Sequence, residues 1–222
     1  MIEDPRSKIQ DRSFYSRPDT NQVAKDLLGK LLVVPTGDGQ RVSGMIVETE
    51  AYLGEIDKAA HTYGGRRTER NEITYAVGGH VYVFFVYGMY FQLNVVTGEK
   101  DSPHVVLIRA VEPVDGIDVM RDRRSWRRGV RVEKPLADKD LTSGPGKLCI
   151  AFGIDRSFNG EDLLGRRIWI EDFRPIQPPA IREGVRIGID YAGEFVHKPW
   201  RYWVEDNQFV SRHPKVRATD TD

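Results

Sequence analysis

The chain has 222 residues, 33 basic and 33 acidic side chains, no net charge and a single cysteine. Its length suits one large domain with a substantial core, and its neutrality argues against a surface that is basic throughout, although a local patch would still serve a polyanion. Cys149 alone excludes an internal disulfide and a multi-cysteine metal site, and no apolar run approaches the ~20 residues needed to cross a bilayer.

The first six residues, from Met1 to Arg6, lack the basic-then-apolar profile of a signal peptide, so a soluble cytoplasmic protein is expected. Residues 1–13 and 211–222 are polar and aperiodic and read as flexible tails of a single domain spanning 1–222. Asp19 and Thr20 can cap a short helix carrying Val23, Leu27 and Leu28, stopped by Gly29. Lys30 to Val34 reads as a strand, and Gly37-Asp38-Gly39 as the turn of a hairpin into the next strand.

That next strand, Gly44 to Tyr52, carries Glu48 and Glu50 two residues apart among β-branched and apolar neighbours. Strand alternation places Glu48, Glu50 and Tyr52 on one face. Buried carboxylates are costly without partners, so the pair suggests acid–base chemistry, a salt bridge to arginine at a sheet edge, or the paired acids of a sugar hydrolase.

A Gly-, Arg- and Thr-rich loop over 53–80 follows and contains His61, Arg66, Arg67 and Arg70. Strands are expected over Val81–Val86 and Phe91–Val96, with a turn at Gly88 between them. Tyr87, Met89 and Tyr90 flank that turn, where a hairpin tip is normally polar, so they suggest a contact surface or a wedge between stacked bases. Val105–Val111 has the composition of a doubly buried strand. An arginine-rich amphipathic helix is expected over Val119–Arg128, and its cations, with Arg131 and Trp126, suit a phosphate backbone.

Ser143 can cap a helix over Gly144–Phe152, whose N-terminus with Lys147 could hold a phosphate. Ile168–Glu171, Val185–Ile189 and Trp200–Val204 complete the expected strands. The whole is a single α+β domain: a mainly antiparallel, curved β-sheet with surrounding helices and a protruding aromatic β-hairpin. The five histidines are too scattered for a metal site, and no Gly-x-Ser-x-Gly elbow occurs, so neither a metal nor another cofactor is expected.

The segments IVETEAYLG (46–54), AAHTYGGRRTERN (59–71), VYVFFVYGMYFQLNVV (81–96), VVLIRAVEP (105–113), SGPGKLCIAFGI (143–154) and YAGEFVHKPWRY (191–202) occur in that order. Together they resemble the alkyladenine (3-methyladenine) DNA glycosylase family over roughly Ser16 to Val204. The resemblance implies an enzyme that flips a damaged purine out of double-stranded DNA and hydrolyses its N-glycosidic bond, leaving an abasic site. Purines such as 3-methyladenine, 7-methylguanine, hypoxanthine and ethenoadenine are its expected substrates, and a monomer with no cofactor is expected to act on them.

By the same resemblance, Glu50 is the base that activates water, and Arg109 positions that water and a neighbouring phosphate. Tyr52, His61 and Phe84 enclose the flipped base, and Asn94 crowds the 2-amino group of normal guanine. Tyr87 is the wedge, with Met89 beside it, while Arg66, Arg67 and Lys147 are candidates for the DNA backbone. Phe84 departs from the tyrosine common in the family, and Asp190-Tyr191 also differs. No lysine lies in the pocket motifs, so no lyase step is expected. Glu48 matches no catalytic role and is expected to be structural. Two rivals remain: a non-catalytic module that recognises distorted nucleic acid, and a glycosidase acting on nucleosides or sugars.

Overall fold

A computed structural model describes residues 7–37, 39–86, 88–127, 130–131 and 136–211. The helices are α1 (Thr20–Asp26), α2 (Ile117–Ser125) and α3 (Pro145–Phe152). The main sheet contains β1 (Leu31–Pro35), β2 (Arg41–Tyr52), β3 (Val81–Val86), β4 (Tyr90–Thr97), β5 (His104–Asp115), β8 (Trp169–Glu171), β9 (Ile181–Gly184) and β10 (Arg201–Val204). Among the described residues two short strands, β6 (Trp126–Arg127) and β7 (Val130–Arg131), pair separately.

The main sheet is antiparallel, runs β3-β4-β5-β2-β1-β8 and branches at β2. The first half of β2 pairs with β1, from Pro35↔Arg41 to Leu31↔Met45, making the expected hairpin. Its second half pairs instead with β10, through Trp203↔Glu48 and Arg201↔Glu50. Strand β5 runs along the other side of β2 throughout, with register shifts around Glu48. The glutamates therefore lie in the sheet interior, not at an edge, and the irregularity re-aims side chains where they stand. Strands β3 and β4 form a hairpin from Val81↔Val95 to Val86↔Tyr90. Tyr87 lies outside the described residues.

Asp19 caps α1 by accepting from the Gln22 amide at 3.0 Å. Val23 and Leu27 of this first helical segment, Met120 of α2, and Leu148 and Phe152 of α3 join Ile46, Leu93 and Ile108 in the main core. Burying each such side chain contributes about 1.5–3 kcal/mol.

The structure corrects several expectations. Helix α2 stops at Ser125, and Trp126 and Arg127 turn into β6, so the arginine run does not form one helical face. Ser143 does not cap α3: Gly144 occupies that position at φ +141°, and the Ser143 hydroxyl accepts from Lys147 at 3.2 Å. Val185–Ile189 is not a strand, and β9 lies just before it. Its β-branched residues arise because Ile187 and Ile189 line a cavity while Arg186 turns into the interior.

Neither expected tail is free over its described part. The Ile9 amide bonds the Ile170 carbonyl at 2.9 Å, Ile9 is buried, and Asp11 caps a 3-10 turn over Arg12–Phe14. At the other end the Ser211 amide donates to Glu48 at 2.7 Å.

Candidate active site

The end of β2 delivers Glu48, Glu50 and Tyr52, and the adjoining strand β5 delivers Arg109 between the two carboxylates. Arg109 Nε lies 3.0 Å from Glu48 Oε1, and its Nη1 lies 3.2 Å from Glu50 Oε1. Both glutamates are fully buried and Arg109 nearly so.

Glu48 is saturated. Its Oε1 also accepts from Arg201 Nε at 2.7 Å and from the Ser211 hydroxyl at 2.9 Å, while its Oε2 accepts the Ser211 amide. Burial favours the protonated acid, but Arg109, Arg201 and the Ser211 donors prevail and hold its carboxyl below the usual range. Glu50 is arranged differently. The Ile187 amide donates to its Oε1 at 2.8 Å, and the Tyr52 hydroxyl donates to its Oε2 at 2.9 Å. Enclosure and the Glu50 charge push the Tyr52 phenol well above its ordinary value, so it remains a donor at neutral pH.

Three of the groups around Glu50, namely Tyr52, Arg109 and Ile187, line a cavity of about 310 Å³. Its other walls include His61, Tyr82, Phe84, Asn94 and the segment Gly188–Ile189, and its described lining contains no lysine. His61 and Phe84 stack with ring centroids 3.8 Å apart, and the Arg70 guanidinium covers Phe84 at 4.1 Å. The Tyr82 hydroxyl lies 2.9 Å from His61 Nδ1.

Although the His61 ring is accessible through the open cavity, protein atoms crowd it, and this enclosure, followed by Arg70 and Arg66, lowers its pKa to about 4. His61 is therefore neutral at pH 7. The Asn94 amide donates to the Tyr82 carbonyl at 3.1 Å, which holds its side chain against β3.

A family model for methylpurine-DNA glycosylase (MPG) matches residues 13–208. The chain belongs to the methylpurine-DNA glycosylase family. It is a DNA repair glycosylase, as the resemblance implied. A Clostridium novyi (strain NT) protein named "Putative 3-methyladenine DNA glycosylase" is 48% identical over 205 residues, covering 92% of this chain and 99% of that relative. Proteins of the same name from Desulfitobacterium hafniense (strain Y51) and Alkaliphilus oremlandii (strain OhILAs) are 48% and 45% identical. These alignments cover 90% and 91% of this chain and 97% and 98% of the respective relatives.

The glycosylase thus brings Arg109, Tyr52, His61, Phe84 and Asn94 to the lining of one cavity, with Glu50 fully buried behind that lining and bonded to Tyr52, Arg109 and the Ile187 amide. Met89 stands apart on the β3–β4 turn and is exposed. Close by, the Tyr90 ring approaches Gly146 so tightly that a Cβ there would lie 3.0 Å from it, which brings the hairpin beside Lys147 on α3. Arg66 is exposed, whereas Arg67 is engaged by Glu72 and Asp101. The later arginines are also used within the fold: Arg121 pairs with Asp118 and Asp138, Arg123 bonds the Ala151 carbonyl, and Arg124 is buried. Arg128 lies outside the described residues.

Sequence reasoning missed Asp57, Arg186, Ile187, Arg201 and Ser211. Ile187 contributes through its amide, which no side-chain pattern marks. The other four come from distant segments, and only three-dimensional pairing identifies them.

Two predictions follow from these charges. Glu48→Gln weakens the hold on Arg109 and Arg201, and breaking a buried pair should lower unfolding free energy by about 3 kcal/mol; an unchanged denaturant midpoint would contradict this. His61 has a lowered folded pKa, so the stability it contributes is present above pH 6.5 and disappears as pH falls toward 4. Allowing for solvent screening, wild type should lose about 1 kcal/mol more than His61→Asn across that window. Parallel stability curves for the two proteins would refute it.

Proposed function

We propose that this glycosylase receives a damaged purine, flipped out of double-stranded DNA, between Tyr52 on one side and His61 with Phe84 on the other. Glu50 takes a proton from water, the water oxygen bonds to C1′, and the C1′–N electrons leave with the base. An abasic site and a free purine result. The proposed substrates are 3-methyladenine, 7-methylguanine, hypoxanthine and ethenoadenine, and the enzyme works as a cytoplasmic monomer.

The observation that carries this reading is the setting of Glu50. A fully buried carboxylate, fixed by a phenol, an arginine and an amide whose residues line an aromatic cavity, suits proton abstraction and stabilisation of positive charge developing at C1′. A module that only binds distorted DNA gains nothing from that arrangement. Alkylated purines such as 3-methyladenine and 7-methylguanine are cationic on the sugar and depart neutral, so one base suffices for them; hypoxanthine and ethenoadenine are neutral on the sugar, leave with the bonding electron pair and take up a proton from solvent. Neutral His61 adds no repulsion against a cationic purine.

Phe84 keeps a π face for stacking, worth ~1–3 kcal/mol per base, without the family's hydroxyl. Asn94 is the residue against which the 2-amino group of normal guanine would clash. Tyr87, with Met89, fills the gap left in the duplex. Arg66 and Lys147 contact phosphates, while Arg67 serves chiefly its own carboxylate partners.

Glu50→Gln should slow excision from lesion-bearing duplexes by about 100-fold or more while leaving duplex binding in place. A gel assay on oligonucleotides carrying each lesion reads this, and wild-type rates in the variant would refute the assignment. Borohydride added during turnover should trap no covalent enzyme–DNA adduct, because the described cavity offers no lysine for a Schiff base. A trapped adduct would overturn the monofunctional reading.

A further inference from the structure

Behind the Tyr52 wall lies a second buried ion pair, which the proposed chemistry does not use. Arg186 and Asp57 have fully buried side chains, and neither lines the cavity. Arg186 Nη1 donates to Asp57 Oδ2 at 2.5 Å and to the Ala51 carbonyl at 2.9 Å, and its Nη2 donates to Asp57 Oδ1 at 2.9 Å. The same guanidinium lies over the Tyr52 ring at 4.6 Å and the Trp200 ring at 5.0 Å. Asp57 in turn accepts the Leu53 and Ala59 amides.

Stability alone is a poor reason for such a pair, since apolar residues of similar volume usually do as well or better at a buried site. What the pair offers is direction. Arg186 is bonded to the backbone of β2 immediately before Tyr52 and, through Asp57, to the loop that leads into Ala59, Ala60 and His61. It also directly precedes Ile187, whose amide holds Glu50 Oε1. Three segments that build the cavity therefore meet at one guanidinium, which lies over the Tyr52 ring without itself lining the cavity.

We propose that Arg186, clamped by Asp57, is a positioning residue for Glu50: it sets the Ile187 amide and the Tyr52 ring and hydroxyl that orient the carboxylate. The inference rests on the glycosylase reading of the cavity. Arg186 is fully buried and does not line the cavity, so its removal should change the rate of bond cleavage rather than affinity for DNA. A misplacement of about 1 Å at a reacting group can cost about 100-fold.

The test compares wild type, Arg186→Lys and the charge-free double variant Asp57→Asn/Arg186→Met. Thermal unfolding, binding to a duplex containing a stable abasic-site analogue, and single-turnover excision with saturating enzyme are measured for each. The double variant should fold, bind the analogue within about threefold of wild type and excise about 100-fold more slowly. Arg186→Lys, which keeps the charge but not the fork, should fall between them. A wild-type rate in either folded variant would overturn the proposal. So would failure of both to fold, which would make the pair structural. Wild-type excision is checked first on the same lesions; its absence would remove the glycosylase reading itself, a result distinct from slow variants of an active enzyme.

Discussion

Two carboxylates placed two residues apart on a buried strand lose hydration and repel each other, so Glu48 and Glu50 need cations between and beside them. Arg109 supplies the first of these from the neighbouring strand, and Arg201 supplies the second through Glu48. Because Arg109 comes from β5 and Arg201 from β10, the charges can be matched only if both strands flank β2 in the observed register. Ser211 completes the coordination of Glu48, which ties the C-terminal end of the described chain to the same centre. Sheet topology and site electrostatics are therefore one constraint.

The length of β2 is what allows this. Its first half is occupied by the β1 hairpin and builds the core, leaving the second half free to accept β10. The changeover falls just before Glu48. From there the chain behind β9 need not continue as a strand, and the segment through Arg186 and Ile187 folds against Tyr52 and Glu50 instead. A regular strand over 185–189 would direct the Ile187 amide into a ladder rather than to the carboxylate.

Elements governed by local chemistry were legible in the amino-acid sequence. The Asp19 cap, the β1 turn glycines and the alternation around Glu48 and Glu50 each act within a few residues, and the structure matches them. The Val185–Ile189 run was misread because β-branched residues line a cavity as readily as they fill a strand, and composition does not separate the two. Arg201, Arg186 and Asp57 carried no local signal, since a buried arginine resembles a surface arginine until its carboxylate is known. The arginine-rich stretch erred the other way. It looked like a phosphate-binding face, yet Arg121, Arg123 and Arg124 are used by nearby carboxylates and carbonyls.

The charge inventory gives Glu48 a purpose beyond stability. Glu48 and Glu50 carry two negative charges, and Arg109 and Arg201 carry two positive ones, so the cluster sums to zero. Were Glu48 neutral, Arg109 would have Glu50 as its only carboxylate partner in the cluster and would offset the negative charge that the proposed chemistry needs beside C1′. By sharing Arg109, Glu48 lets it fix the position of Glu50 while drawing part of its charge away. In a low-dielectric site such partial compensation matters more than at a surface. In the proposed chemistry the first glutamate of the ETE motif thus acts through the arginine rather than on the substrate, so that two acids two residues apart yield one base.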